Sequence, residues 1–327
     1  MSTILITGAT GFLGRHLLRQ LRLAQPEAQL RVLARSTTPW DDDPAIESVS
    51  GDVSEAGSLD AACAGVDYVY HLAGIVSRDP RHAEAVYEVN VTGTRNVCQA
   101  AVRQGVKKLL LVSSSGTVAV SRKPQAQDED SGFKFEIVGE WPYYLSKIYA
   151  EKVAFDFHQR DRLPVVVVNP CLLIGPGGGA ASSNSDIALF LAGQIKALPG
   201  GGLSFVDVRD AAAGMIAAMG RGRPGERYLL GGPNWTFREL IHTLAHISGC
   251  RAPRLRLPLG LARASAAIMR GLLPLFGHEF LLDDVSIKMS ELFWYCDTAK
   301  AKRELGWAAR DPLETLRDTV QFLRQPA

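Results

Sequence analysis

The feature that most constrains this chain is the glycine spacing in the run Ile4-Leu5-Ile6-Thr7-Gly8-Ala9-Thr10-Gly11-Phe12-Leu13-Gly14-Arg15. It reads as a buried strand, a glycine turn and a helix start. Gly8 lets the chain turn sharply off the strand, Gly11 lets the backbone approach a pyrophosphate, and Gly14 lets the new helix pack tightly on the sheet. The helix N-terminus then offers free N–H groups and a positive dipole end to the phosphates. Gly8, Thr10, Gly11, Phe12, Leu13 and Gly14 are therefore candidate phosphate-cradle residues. Three glycines can also serve an ordinary strand-to-helix turn; their place between a strand and a helix favours the cradle.

The pattern alternates through the first half. Strands are expected at 3–8, Leu30–Ala34, up to Val49, Tyr68–Leu72, Leu109–Val112 and Val165–Val168. Helices are expected at 12–23, Ala83–Gln104 and Tyr143–Arg160. The strands are nearly continuous apolar runs, as in a sheet covered on both faces. Right-handed crossovers then predict an α/β, Rossmann-type, doubly wound parallel sheet. Residues 1–170 make the dinucleotide-binding domain, with a returning strand near 226–231. Residues 171–327 make a smaller, mainly helical substrate-binding cap. The glycine-rich stretches 175–179 and 200–202 suit a loop that orders over a substrate, or a solvent loop.

At 327 residues the chain can bury a full α/β core plus a smaller domain. Its net charge of +2 gives no reason to expect a nucleic-acid partner. Cys63, Cys98, Cys171, Cys250 and Cys296 are odd in number and widely spaced, which predicts reduced, buried thiols and no metal or redox site. The first strand begins at once, so no targeting segment is expected and the protein reads as cytoplasmic. The apolar stretch Leu255–Leu282 is broken by charges and by Pro258 and Pro274, so it predicts no transmembrane span. It suits a helix over a pocket or a surface helix.

Tyr143 and Lys147 stand four apart at the start of a helix, which puts both on one face. A nearby ammonium lowers a phenol's pKa and lets it exchange a proton with a carbonyl or alcohol oxygen. Lys147 can also hold a cofactor ribose. The run Ser113-Ser114-Ser115 follows the fifth strand and would bring a hydroxyl to the same oxygen. Ser115 is the favoured residue and Ser114 its competitor.

These motifs, with Gly51-Asp52, His71-Leu72-Ala73-Gly74, Asn90-Val91-Thr92-Gly93-Thr94 and Asn169-Pro170, occur in an order that resembles the extended short-chain dehydrogenase/reductase superfamily. The likeness extends to Asp297–Lys300 and Glu304–Trp307. Ser115-Gly116-Thr117-Val118 and Glu226–Gly232 most resemble its dihydroflavonol-reductase-like branch, which also holds hopanoid-associated and 3β-hydroxysteroid-dehydrogenase-like proteins. The resemblance implies that Asp52 and Val53 contact the adenine. Leu72, Ala73 and Gly74 would lie along the phosphates and ribose, and Pro170 against the nicotinamide. Asn90 would support the active-site helix or a proton-relay water. Asp52 can equally cap a turn, and His71 reads as a core residue. A homodimer is implied by the resemblance alone.

An NAD site usually carries an acid at the end of the second strand. Here Ala34-Arg35-Ser36 stands there, and Arg35 could pair with a 2′-phosphate, so NADP(H) is favoured over NAD(H). The alternative is that Arg35 stacks on the adenine of either. Three functions compete: a ketone reductase or alcohol dehydrogenase for a small, hydrophobic molecule, a nucleotide-sugar epimerase or dehydratase, and a silent dinucleotide-binding protein. Gly116 and Thr117 stand where sugar dehydratases of this superfamily carry an acidic pair. No Arg-Asp-Tyr segment appears near Leu203–Asp207, although Arg209 follows. Both departures favour the reductase. Leu189, Phe190, Ile268, Met269, Leu272 and Phe276 hint at an apolar pocket.

Overall fold

A computed structural model describes residues 2–178, 182–256 and 284–325. Six strands arise in the first half: β1 Thr3–Thr7, β2 Gln29–Ala34, β3 Ile46–Ser50, β4 Tyr68–His71, β5 Lys108–Val112 and β6 Val165–Pro170. Beyond them lie β7 Leu172–Ile174, β8 Ala197–Leu198, β9 Gly202–Asp207, β10 Arg227–Leu230, β11 Asn234–Thr236, β12 Leu255–Arg256 and β13 Phe293–Trp294. The main sheet has seven strands in the order β3-β2-β1-β4-β5-β6-β10, and every pairing in it is parallel. The order reverses between β1 and β4. At such a switch point the loops leaving two neighbouring strands diverge to opposite faces and open a crevice at their carboxyl ends.

Helices cover both faces: α1 Phe12–Ala24, α2 Ala56–Cys63, α3 Ala83–Tyr87, α4 Gly93–Arg103, α5 Phe135–Val138, α6 Pro142–Asp161, α7 Ser185–Leu191, α8 Val208–Arg221 and α9 Phe237–Ser248. Helices Asp284–Met289 and Pro312–Arg324 follow. Helix α1 buries Leu13, Leu17, Leu18 and Leu21, the stripe of a helix laid on a sheet. It shares one core with α8, and a second core forms on the other face around Leu59, Val97, Leu109 and Val165. Lys108 closes the C-terminal end of α8 by donating to the carbonyls of Met219 and Gly222, each at 2.7 Å.

Three details differ from the sequence-based expectations. The helix expected over Ala83–Gln104 contains a π-turn at Glu88–Thr92, an extra residue that re-aims Asn90. The mainly helical cap also holds short strands that the sequence reading did not place: β9 anchors a second sheet with β7, β11 and β13. Gly200-Gly201-Gly202 is not an open loop: a Cβ on Gly201 would lie 2.1 Å from the Leu292 carbonyl oxygen. The glycines allow two backbone segments to meet. No helix among the described residues is long and apolar enough to cross a membrane.

Candidate active site

The crevice at the switch point is built by backbone before any side chain enters it. Gly8 has φ +75°, a left-handed conformation that suits glycine, and a Cβ there would lie 2.7 Å from the Ala73 nitrogen. A Cβ on Gly14 would lie 2.2 Å from the Gly8 carbonyl oxygen, whereas one on Gly11 meets only that same oxygen, at 3.3 Å. Gly8 and Gly14 thus serve close packing and Gly11 faces open space. The β1 and β4 loops are joined by Ala73 N donating to the Thr7 hydroxyl at 3.2 Å. Gly11 caps α1 without a side-chain hydrogen bond, which leaves first-turn N–H groups for an anion. Leu13 is buried in the core, Phe12 packs edge-on against His16, and Thr10 is exposed on the turn. These residues fit a dinucleotide pyrophosphate.

At the adenosine end, Arg35 is 79% exposed and lies 3.9 Å from Asp52. Asp52 Oδ1 accepts from Ser54 N at 2.9 Å, so it does hold a turn, and Oδ2 faces Arg35. Val53 is buried against Gly93. The nearest acid beyond β2, Asp41, is engaged by Thr38 and Ser48. His71 is a core residue, bonded to Thr7 and Thr94, and burial pushes its pKa down to about 3.

Helix α6 begins at Pro142, whose fixed φ suits a first helical turn, and carries Tyr143, Lys147 and Glu151 at successive turns. Lys147 is buried, and its Nζ donates to the Val112 carbonyl at 3.0 Å. Burial lowers its pKa to about 8, against the opposing charge of Glu151. Gly74 lets Lys147 and Asn90 come close, since a Cβ there would meet Asn90 Oδ1 at 2.9 Å and Lys147 Nζ at 3.1 Å. Asn90 uses both of its amide donors: it accepts from Ile75 N at 2.8 Å and donates to the Ile75 carbonyl at 3.0 Å and to Ser146 Oγ at 2.9 Å. Ser146 in turn donates to the Tyr143 carbonyl at 2.7 Å. Asn90 therefore clasps the loop after β4 to the helix that carries Tyr143.

The serine run keeps both candidate hydroxyls near the site. Ser114 caps the short 3-10 turn Ser115–Thr117 with extended backbone (φ −147°, ψ 143°), its Oγ accepts from Gly116 N at 3.3 Å, and its hydroxyl favours the charged form of the Tyr143 phenol. Ser115 is buried at the start of that turn, on the side of Cys171. The phenol departs from expectation. Burial pushes it up to about 12, opposed by the Ser114 hydroxyl, so it remains protonated through the neutral range. Pro170 ends β6 beside this turn, and Cys171 follows with its Sγ 3.1 Å from that of Cys296. The wide cysteine spacing in the chain gave no sign of this approach.

Tyr144 stacks on Trp294 with ring centroids 5.0 Å apart, next to Trp141. A Cβ on Gly116 would lie 2.3 Å from the Tyr144 ring, so that position has no room for an acidic side chain. Of the apolar candidates, Phe190 lies in the core, Leu189 is half-buried on α7, and Ile268, Met269, Leu272 and Phe276 lie outside the described residues. Arg209 is held by Asp207 at 2.6 Å and Asp318 at 2.7 Å. Sequence reasoning passed over Glu151. The signal available was its spacing, four beyond Lys147 and eight beyond Tyr143 on the same helix.

A Rossmann sheet with a glycine cradle and a Tyr–Lys pair on the helix before β6 defines a dinucleotide-dependent enzyme of the short-chain dehydrogenase/reductase type. The model of the NAD dependent epimerase/dehydratase family matches residues 4–231, and the chain belongs to that family. It is 32% identical over 327 residues to a putative dihydroflavonol 4-reductase of Synechocystis, covering 98% of this chain and 94% of the relative. It is 30% identical to sterol demethylase protein B of Methylococcus capsulatus, covering 99% and 98%. Among solved structures, gox2253 superposes with a TM-score of 0.84 at 29% identity, covering 99% of this chain and 98% of that one. A double mutant of the dTDP-glucose 4,6-dehydratase DesIV of Streptomyces venezuelae, solved with NAD bound, gives 0.76 at 26% identity, covering 98% and 97%. The protein is an NAD(P)-dependent oxidoreductase of the extended branch.

Proposed function

We propose that this enzyme reduces a ketone of a small hydrophobic molecule to a secondary alcohol, with NADPH as the preferred reductant. The observation that carries this reading is the placement of Tyr143 one turn before a buried Lys147 on α6, at the crevice where the loops after β4 and β5 meet, with Lys147 Nζ donating to the Val112 carbonyl at 3.0 Å. A neutral phenol is an acid, the form that carbonyl reduction requires. A bound dinucleotide would supply the hydride, with Pro170 among the residues that would hold its nicotinamide. Tyr143 gives its proton to the carbonyl oxygen and Ser114 donates to that oxygen as charge develops. Lys147, with Gly74 close by, would hold the ribose. The aromatic face of Tyr144 and Trp294 suits a hydrophobic substrate such as a sterol-, terpenoid- or polyketide-like ketone. The engagement of Arg209 with Asp207 and Asp318 speaks against its gripping a nucleotide diphosphate.

The test is a titration with NADPH and NADH followed by nicotinamide fluorescence, then by a panel of hydrophobic ketones and UDP-sugars. Tight NADPH binding with ketone-dependent oxidation is expected. Conversion of a UDP-sugar without net oxidation would move the enzyme to epimerisation. The Arg35→Ala variant should weaken NADPH by about tenfold and NADH by about twofold or less, since one charge-assisted bond is lost. Equal weakening of both would show that Arg35 only stacks on the adenine.

The two serines are separable. Ser114→Ala should lower kcat by about 100-fold, the cost of one donor at a developing oxyanion, while Ser115→Ala should cost less than about tenfold. Steady-state kinetics on both variants decides it, and the reverse order would return the role to Ser115.

A further inference from the structure

Glu151 is a fully buried carboxylate in the middle of α6, a place where an acid is seldom found unless it is partnered. Its Oε1 accepts from Ser113 Oγ at 2.5 Å, Asn169 Nδ2 at 2.7 Å and Thr117 Oγ1 at 2.8 Å. The Asn169 amide reaches on to the Ser114 carbonyl at 3.1 Å. One oxygen therefore gathers the serine turn after β5 and the end of β6. The other oxygen faces Arg227 Nε on β10 at 3.2 Å, and that guanidinium lies over the rings of Phe133 and Phe155. Glu151 stands one helical turn from Lys147.

We propose that Glu151 is a positioning residue for proton transfer at Tyr143: its carboxylate fixes the turn that presents Ser114 and provides the counter-charge for Lys147. It touches neither substrate nor dinucleotide, and it acts through Ser114 and Lys147. The inference rests on the reading of Tyr143 as the proton donor. Three contacts converge on Oε1, where a group serving only to neutralise Arg227 would need none of them. The charged and titratable groups that face this pair are Arg227 from β10, Tyr143 from α6 and His71 from β4. His71 stays neutral through the neutral range. Glu151 is thus the group that favours the charged form of Lys147, opposing its burial.

The experiment compares Glu151→Gln with wild type. Because the glutamine leaves Arg227 buried without its anion, the double variant Glu151→Gln, Arg227→Met is made beside it. Competitive acetylation of the cofactor-free protein by acetic anhydride, read by peptide mass spectrometry across a pH series, reports the proton affinity of Lys147 with no turnover. Its midpoint should fall by about one pH unit in both variants, because the opposite charge that favours the ammonium is gone. In steady state kcat should fall by about 10- to 100-fold while KM and the dinucleotide Kd stay within about twofold, as expected when an interaction made only in the transition state is lost. An unmoved Lys147 midpoint, or a kcat within about twofold of wild type, overturns the proposal. If wild type itself turns over no ketone, the reductase reading fails, and the acetylation midpoint still decides whether Glu151 governs Lys147.

Discussion

Replacing Tyr143 by Phe is expected to lower kcat for carbonyl reduction by about 1,000-fold, or roughly 4 kcal/mol of transition-state stabilisation, while leaving dinucleotide affinity within about twofold. The ring and its packing against Tyr144 survive the change; what is lost is the proton donor. The wild-type pH profile should carry a matching signature. Lys147 is charged below its pKa of about 8 and neutral above it, so reduction should decline as pH rises through that value. The Tyr143 phenol, at about 12, stays protonated across the same range and adds no limb of its own there. Stopped-flow oxidation of NADPH with fluorescence titration of each variant measures both. Full activity in Tyr143→Phe would remove the mechanism.

The second large effect is expected from Gly14→Ala. The added methyl would lie 2.2 Å from the Gly8 carbonyl oxygen and 2.7 Å from the Ala9 Cα, and both are backbone atoms that cannot swing aside. Overpacking of this kind costs about 1–3 kcal/mol, so the thermal midpoint should fall. The same displacement opens the phosphate cradle, and dinucleotide affinity should weaken by about 10- to 100-fold, as when a turn that places several N–H donors on one anion is distorted. Gly57→Ala is the control. A Cβ there meets nothing within 4 Å, and alanine in a helix is favoured over glycine by about 0.5–1 kcal/mol. Melting curves and nicotinamide fluorescence read both variants. A Gly14→Ala protein that melts and binds like wild type would show that the cradle does not depend on this contact.

The elements legible in the chain are those whose signal is local. The glycine turn between β1 and α1, the apolar strands and the Tyr143–Lys147 pair each lie within a few residues, where backbone sterics and helical periodicity set the geometry. The returning strand near 226–231 was also legible, because Arg227–Leu230 is a short apolar run that pairs with β6. Asn90 was legible as a candidate residue, but the π-turn that carries it was not visible, since one inserted helical residue leaves no mark in composition. The Gly200–Gly202 stretch looked like a flexible loop because glycine signals both freedom and close approach. Only the neighbouring Leu292 backbone distinguishes the two.

From the sequence alone came the Rossmann sheet, the glycine turn between β1 and α1 and the helix that carries Tyr143 and Lys147, all read from short-range spacing. The tertiary structure alone set the surroundings of Ser114 and Ser115. It also set the phenol's high pKa and gathered the serine turn on Glu151, which lies 38 residues beyond Ser113. The same folding brought Cys171 to Cys296 across 125 residues. In each case the outcome depends on which distant groups crowd a side chain and exclude water from it. Neighbours brought together by folding determine burial and hydrogen-bond partners, and these have no period or spacing along the chain.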